Sequence, residues 1–314
     1  MGIPRPVARL LFGEGRRRPF SGSVLQVGRC YVYLRWDELE RWARRDGFAL
    51  RSDRPRELSH DPHLASEGCI SDRSFFHALG FDEVESLDLL GDERPTYLQD
   101  MNLPVPVALE GRFDVVFDTG TLVHVFDQKT AFQNLARMVK PEGRVIHGTS
   151  PSSNHIDMGF YMFSPTLLAD FFTANRWRIE SLKLCEFEPL WFRGRFVPPV
   201  WKVRPYEPGA LDALRLGGLD GHAYSVWAVA TKAPGAITDQ SPIQGCHRAA
   251  HAAGRAGTNS LATDRAAHRV PPASSRGAPS APSRLRHWAL RTLKRGWRRL
   301  RPRARRLPPV EARL

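Results

Sequence analysis

The chain has 314 residues, 42% of them hydrophobic, enough to bury the core of one large domain or two small ones. Its formal charge of +13 is unevenly placed: residues 233–314 hold 17 Lys and Arg against 3 Asp and Glu, and of the totals of 46 and 33 this leaves 29 against 30 for residues 1–232. A folded part without basic excess argues against a nucleic-acid-binding core, four scattered cysteines (Cys30, Cys69, Cys185, Cys246) fit a reducing cytosol better than a disulfide framework or a zinc site, and no apolar run reaches the length of a bilayer span.

Residues 1–20 are basic without a secretory apolar run, and Pro6 stands where a myristoylation signal needs Ser or Thr; they read as an irregular leader. SVLQVG, residues 23–28, reads as a first buried strand ending at Gly28. Asp37 with Glu40 forms a capping box for a helix through Arg45, closed by Gly47. Residues 48–69, with Pro55, Pro62 and many charges, read as a surface insertion. Ser71 or Asp72 caps a helix holding Phe75, Phe76 and Leu79, and Gly80 stops it.

Strands are predicted at 84–88, ending in Asp88, and at 96–100, ending in Asp100; Asn102, Pro104 and Pro106 then force a loop. FDVVF, residues 113–117, has the β-branched and aromatic content of a central strand covered on both faces. Asp118-Thr119-Gly120-Thr121 breaks it, and an amphipathic helix follows from about Lys129, with Phe132, Leu135, Ala136 and Val139 on one face, until Pro141-Glu142-Gly143 ends it. Residues 144–148 are strand-like and run into a long polar and aromatic loop. Ser164-Pro165 is a cap with proline at the first helical position, and Leu167, Leu168, Phe171 and Phe172 supply the buried face. Strands at 178–184 and 224–230 complete an α/β domain over 21–232, in which ligands belong beyond the carboxyl ends of the strands.

LQVG (25–28), SLDLL (86–90), LQDMN (98–102), FDVVFDTGTLVHVFD (113–127) and MVKPEGRVIH (138–147) stand in an order that resembles the class I S-adenosylmethionine-dependent methyltransferases. The resemblance covers about 21–232 and implies a Rossmann-like fold: a mostly parallel seven-stranded sheet with helices on both faces. GTLVHVF together with GFYMFSP (159–165) is similar to a bacterial subgroup often associated with glycan or secondary-metabolite pathways. The implied cofactor is S-adenosylmethionine, with Val27 and Gly28 beside its methionine part, Asp88 on the ribose hydroxyls, and Asp100 with the Met101 backbone at the adenine. Asp118, Thr119 and Gly120 would line the methionine side. A carboxylate accepts two hydrogen bonds from vicinal hydroxyls, which supports Asp88 in that role; Asp92 or Glu93 takes it if the strand ends later. The chain departs from the family in two places. Arg29, Cys30, Tyr31 and Val32 replace the glycine-rich turn, and the stretch from Gly28 to Asp88 is longer than one βα unit needs.

Methyl transfer from a sulfonium depends on positioning, and a hydroxyl acceptor also benefits from a base. His124, after the central strand, and His155, after the next, are the candidate bases, with Asp157 as an orienting partner and Tyr161 as a wall or donor. Val123 precedes His124 where the subgroup usually has an acid. The resemblance implies a methyltransferase for O- or N-methylation of a glycan, lipid-linked sugar or small metabolite. A non-catalytic binding module with a decayed cofactor loop is the alternative.

From 233 to 282 the composition predicts a disordered linker. Residues 283–301 place Leu285, Leu290, Leu293, Trp297 and Leu300 opposite Arg291, Lys294, Arg295 and Arg298, the pattern of a basic amphipathic helix drawn to an anionic membrane surface; 302–314 continue as a basic tail. Nucleic acid is the weaker partner for that helix, and an inert tail is the plain alternative. The expected location is the cytoplasm, at the inner membrane surface if the helix binds lipid.

Overall fold

The structure, a computed structural model, describes residues 2–188, 191–192, 195–196, 200–211, 214, 218–245 and 307–314. In chain order the elements are β1 (Gly2–Ile3), α1 (Arg5–Arg17), β2 (Ser23–Val27), β3 (Tyr31–Val32), α2 (Trp36–Arg45), α3 (Pro62–Ser66), α4 (Asp72–Leu79), β4 (Glu83–Asp88), β5 (Tyr97–Leu98) and β6 (Phe113–Asp118). Then come α5 (Gln128–Met138), β7 (Val139–Ser153), α6 (Pro165–Ala174), β8 (Arg178–Phe187), β9 (Trp191–Phe192), β10 (Arg195–Phe196), β11 (Lys202–Pro205), β12 (Ala223–Thr231) and β13 (Ala312–Arg313).

One sheet organises the molecule, in the order β13-β11-β8-β12-β7-β6-β2-β4-β5. From β5 to β7 neighbouring strands run parallel, and β12 lies antiparallel between β7 and β8. The sheet therefore has nine strands rather than the expected seven: β11 and β13 extend it antiparallel beyond β8. Because successive residues of a strand face opposite ways, each strand feeds two cores. Val24, Val115, Phe117 and Ile146 pack with α1, α2 and α4; Leu25, Val27, Val116 and Val145 pack with α5 and α6. The strand order reverses between β2 and β6, which makes that gap the topological switch point.

The predicted helices form where the caps place them. Ser71 Oγ accepts from the Ser74 amide at 3.0 Å, and the Ser164 side chain accepts from the Thr166 amide at 3.3 Å. At α2 the capping acid is Glu38, which accepts from the Arg35 amide at 3.1 Å, so that helix starts earlier than Asp37 suggested.

Two terminal expectations are corrected. The leader is helix α1, whose Val7, Leu11 and Phe12 are buried in the core; its proline lies in the first turn, where no amide is lost to the helix. Its buried Glu14 receives Arg17 at 2.7 Å and also pairs with the buried Arg144 of β7, tying the helix to the sheet. At the other end, residues 307–314 are not a loose basic tail. Glu311 N donates to Val203 O at 2.7 Å, Leu314 and Trp201 exchange backbone bonds of 2.9 and 3.0 Å, and Lys183 pairs with Glu311 at 2.6 Å. The chain thus returns to the sheet edge after residues 246–306, where the expected basic helix lies outside the described residues.

Candidate active site

The register aligns the strand ends. Val27 pairs with Leu87 on one side and Asp118 on the other, Asp118 pairs with His147, and Asp88 pairs with Leu98. Asp88, Gly28, Asp118 and the turn after β5 therefore share one rim, with Asp100 two residues beyond Leu98.

Two carboxylates on this rim are half-buried and keep spare acceptor capacity. Among the described residues the Asp88 carboxylate accepts only long bonds, 3.4 Å from the Arg29 amide and 3.3 Å from the Leu90 amide. One oxygen of Asp100 accepts both the amide and the side-chain nitrogen of Asn102, at 2.8 and 2.7 Å; the other makes no hydrogen bond among the described residues. Asn102 in turn accepts from the Phe126 and Asp127 amides, so the turn after β5 positions the loop after β6. Beside the two acids Leu89, Leu90 and Leu98 are exposed, while Met101 is buried beneath. Spare acceptors next to exposed apolar side chains suit a nucleoside.

Asp118 is placed differently. It is fully buried, one oxygen accepting the amides of Gly120, Thr121 and Leu122 at 3.1, 2.8 and 3.4 Å, the other lying 2.8 Å from Nδ1 of the equally buried His147 but out of line for a hydrogen bond. The His147 ring stacks on Phe163 at 5.8 Å. Asp118 thus shapes the turn at the switch point from inside. Thr119 and Gly120 are also buried, the Thr119 carbonyl accepting from Thr149 Oγ1 at 3.1 Å.

At the end of β2, Gly28 adopts a positive φ of 76°, and a side chain there would collide with Thr121 Oγ1, which donates to the Val27 carbonyl at 2.6 Å. Arg29 turns back into a polar cluster. Its guanidinium binds both oxygens of Asp72 at 3.2 Å and donates to the Glu93 carbonyl, while Gln26 donates to Asp72 at 2.8 Å. His60, from the insertion, lies 3.6 Å from Asp72 and stacks on Tyr31, whose hydroxyl donates to Glu93. Burial alone would raise the Asp72 carboxyl, but the neighbouring His60 imidazole and the hydrogen bonds from Arg29 and Gln26 hold it well below the usual carboxylate range. Cys30 beside them is inert, its thiol pushed up to about 12 chiefly by burial.

The candidate bases sit on different loops. His124 is exposed on a single 3-10 turn, Leu122–His124. His155 is half-buried, its Nδ1 3.2 Å from Met158 Sδ and its ring edge-on to Phe187 at 5.7 Å. Burial lowers its pKa below 6.5, and its Nε2 has no hydrogen-bond partner among the described residues. Asp157 is exposed at φ 64° and makes no described contact with His155. Phe160 and Tyr161 both donate to the Val123 carbonyl, so the loop carrying His155 folds back onto the turn carrying His124. Tyr161 donates to the Phe126 carbonyl at 2.9 Å.

The Arg29–Asp72–His60 cluster and His147 were not anticipated from sequence. A glutamine facing inward from an otherwise apolar strand, Gln26, is the signal that pointed to the first.

Residues 91–147, from the loop after β4 into β7, match the family model described as "Methyltransferase domain". No curated protein matches the chain. Among solved structures, the chain is similar to a Burkholderia thailandensis 1,6-didemethyltoxoflavin-N1-methyltransferase with bound S-adenosylhomocysteine, at 15% identity over 73% of this chain and 77% of that one, TM-score 0.37. The YcgJ protein of Bacillus subtilis is 14% identical over 73% and 99%, TM-score 0.41, and a SAM-dependent methyltransferase of Thermotoga maritima 15% identical over 72% and 90%, TM-score 0.33. Likenesses at these scores establish neither fold nor activity; the domain match places a methyltransferase signature on the segment that carries Asp100, Asp118 and His147.

Proposed function

We propose that the protein is an S-adenosylmethionine-dependent methyltransferase acting on a small-molecule or glycan acceptor. The observation that carries this is the pair of half-buried carboxylates with spare acceptor capacity, Asp88 and Asp100, at adjacent strand ends, Asp100 lying within the segment that bears the methyltransferase signature and Asp88 just before it. When bound, S-adenosylmethionine supplies a methyl group on a positively charged sulfur.

The residues fit its nucleoside half. Asp88 offers acceptors to the ribose hydroxyls, and the free oxygen of Asp100 offers one to the adenine amino group, with Met101 beneath. The methionine half would meet a different surface from a glycine turn: Gly28, Thr119 and Gly120 are buried there, and Arg29 is a cation already paired to Asp72. On the acceptor side, His155 is the proposed base. Burial favours the neutral imidazole that a base requires, and Nε2, covered by the surrounding chain, has no hydrogen-bond partner among the described residues. Asp118 and His147 act as positioning residues, fixing the turn between β6 and α5. An anionic membrane surface remains the proposed partner of residues 283–301.

Isothermal titration of the full chain with S-adenosylhomocysteine tests the reading, with micromolar binding expected. Absence of binding at millimolar ligand would leave a methyltransferase-like module without its cofactor.

A further inference from the structure

The near-neutral charge of residues 1–232 hides a split. Residues 1–60 carry 13 arginines against 7 acids, which leaves 16 basic residues against 23 acids for residues 61–232. The basic part contains α1 and α2, whose apolar sides share one core cluster. Arg5 and Arg9 stand one turn apart on a face of α1, and Trp42 and Arg45 one turn apart on a face of α2. The two faces meet at the half-buried Trp42 ring.

Three guanidinium groups crowd that ring. The Cζ atoms of Arg5, Arg9 and Arg45 lie 4.9, 4.7 and 4.9 Å from its centroid, so no two of them are more than about 10 Å apart, near the distance over which salt screens exposed charges. The three repel one another, and their contact with the indole offsets only part of that. Asp46 neutralises one, its two oxygens accepting from Nε and Nη2 of Arg9 at 2.7 and 2.8 Å. Neither Arg5 nor Arg45 has an ion pair or a side-chain hydrogen bond among the described residues.

Arg5 shows the imbalance most clearly. It is half-buried, and its Nε is covered by the chain without an acceptor among the described residues. Burial, then Arg9 and Arg45, lower its pKa; Glu38 opposes them from beyond ion-pair distance. A charge drawn partly out of water normally keeps a counter-ion, and here its neighbours over the indole are two more cations. The shape of the missing anion follows from the forks. A carboxylate, with two oxygens, occupies one guanidinium, as Asp46 does on Arg9. A phosphate monoester has three terminal oxygens and close to two negative charges, enough to answer both Arg5 and Arg45. An indole already faced by three guanidinium groups leaves little ring for a base to stack on, so the arrangement lacks the platform of a single-stranded nucleic-acid site.

We propose that Arg5 and Arg45, set around Trp42 between α1 and α2, form a binding site for a phosphate monoester, carried by a soluble metabolite or by a lipid headgroup. The inference is independent of the methyltransferase reading, since none of these residues belongs to the rim.

The test follows Trp fluorescence and calorimetry of the full chain at mildly alkaline pH, where a monoester is a dianion. Glycerol 3-phosphate is the soluble probe, dimethyl phosphate its monoanionic diester control, and vesicles of phosphatidylcholine with and without phosphatidic acid present the same monoester on a lipid. Arg45→Gln and Arg5→Gln are each expected to weaken binding at least about tenfold, whereas Arg44→Gln, an exposed arginine of α2 away from the Trp42 ring, changes it less than about twofold. Arg45 is exposed, so its variant keeps the test decisive if Arg5→Gln lowers the Tm. Binding of glycerol 3-phosphate assigns the site to a soluble ligand, and binding of phosphatidic acid vesicles alone assigns it to a headgroup. Binding of neither probe would overturn the site. An equal loss from Arg44→Gln would replace it by a diffuse positive surface, and dimethyl phosphate binding as tightly as the monoester would overturn the ligand class.

Discussion

Replacing Asp100 by asparagine separates the two things this side chain does. In the structure one oxygen holds Asn102 through bonds of 2.8 and 2.7 Å, and Asn102 in turn orders residues 126 and 127. Asparagine keeps an amide oxygen for the Asn102 amide, so the turn survives and the stability change stays within about 1 kcal/mol. It loses the charge and turns the free oxygen into a donor, set against the donating amino group of adenine. A hydrogen bond to a charged group contributes about 1.5–3 kcal/mol, so the Kd for S-adenosylhomocysteine should rise roughly 10- to 150-fold. Calorimetric titration of parent and variant, with Tm recorded for both, measures this directly. An Asp100→Asn protein that binds within twofold of the parent at unchanged Tm would refute the placement of the nucleoside, because the structure leaves that oxygen no other task. Asp100→Ala is the poorer experiment, since it also removes the acceptor that builds the turn.

Asp118→Ala should cost roughly 2–4 kcal/mol by orphaning the amides of Gly120, Thr121 and Leu122, read as a fall in urea midpoint; an unchanged midpoint would show that the turn holds itself. Asp72→Asn leaves Arg29 buried without its carboxylate, an expected loss of about 3–5 kcal/mol at pH 7. Since the folded pKa of Asp72 lies below 3.8, the parent's advantage is complete above that pH and shrinks as pH falls through the folded value; a difference constant from pH 7 to pH 2 contradicts the pairing. Deleting residues 307–314 removes three backbone bonds at the sheet edge and the contact of Leu314 with the core, about 2–4 kcal/mol in a thermal melt, and a melt identical to the parent's would mean the strand does not form. If His155 is the base, methyl transfer stays on its plateau as pH drops through 6.5 and falls only below it, because burial disfavours the imidazolium; His155→Gln should abolish that limb, and a midpoint at or above 6.5 would point to another group.

Much of this architecture was legible because the local signals agreed with the tertiary ones. FDVVF is apolar enough for a strand covered on both faces, and Ser71 and Ser164 cap the helices they precede. Helix α1 stood behind the reading of residues 1–20 as an irregular leader, although Val7, Leu10 and Leu11 already stood at helical spacing and a proline in the first turn costs nothing. β13 has no local signature; Ala312 and Arg313 are a strand only because β11 offers an unpaired edge about 110 residues earlier. Asp118 illustrates a different limit. An acid at a strand end looks the same in sequence whether it faces a ligand or the core. Here alternation decides it: Asp118 shares the face of Val116, which packs against α5 and α6.

The same contrast bears on the missing glycine turn. A glycine-rich loop lets backbone approach a ligand closely, and this chain keeps only the glycine that Thr121 demands. The next positions carry side chains with defined partners: Arg29 on Asp72 and the Glu93 carbonyl, Tyr31 on Glu93 and against His60. His60 comes from residues 48–69, so the long spacing between Gly28 and Asp88 and the loss of the glycines are one feature. The insertion supplies the imidazole that packs the replacement cluster, and that cluster fixes Arg29, whose amide reaches Asp88. The Arg29–Asp72 pair therefore stands where a glycine-rich turn would, and the position of the Arg29 amide beside Asp88 is tied to the charge on Asp72.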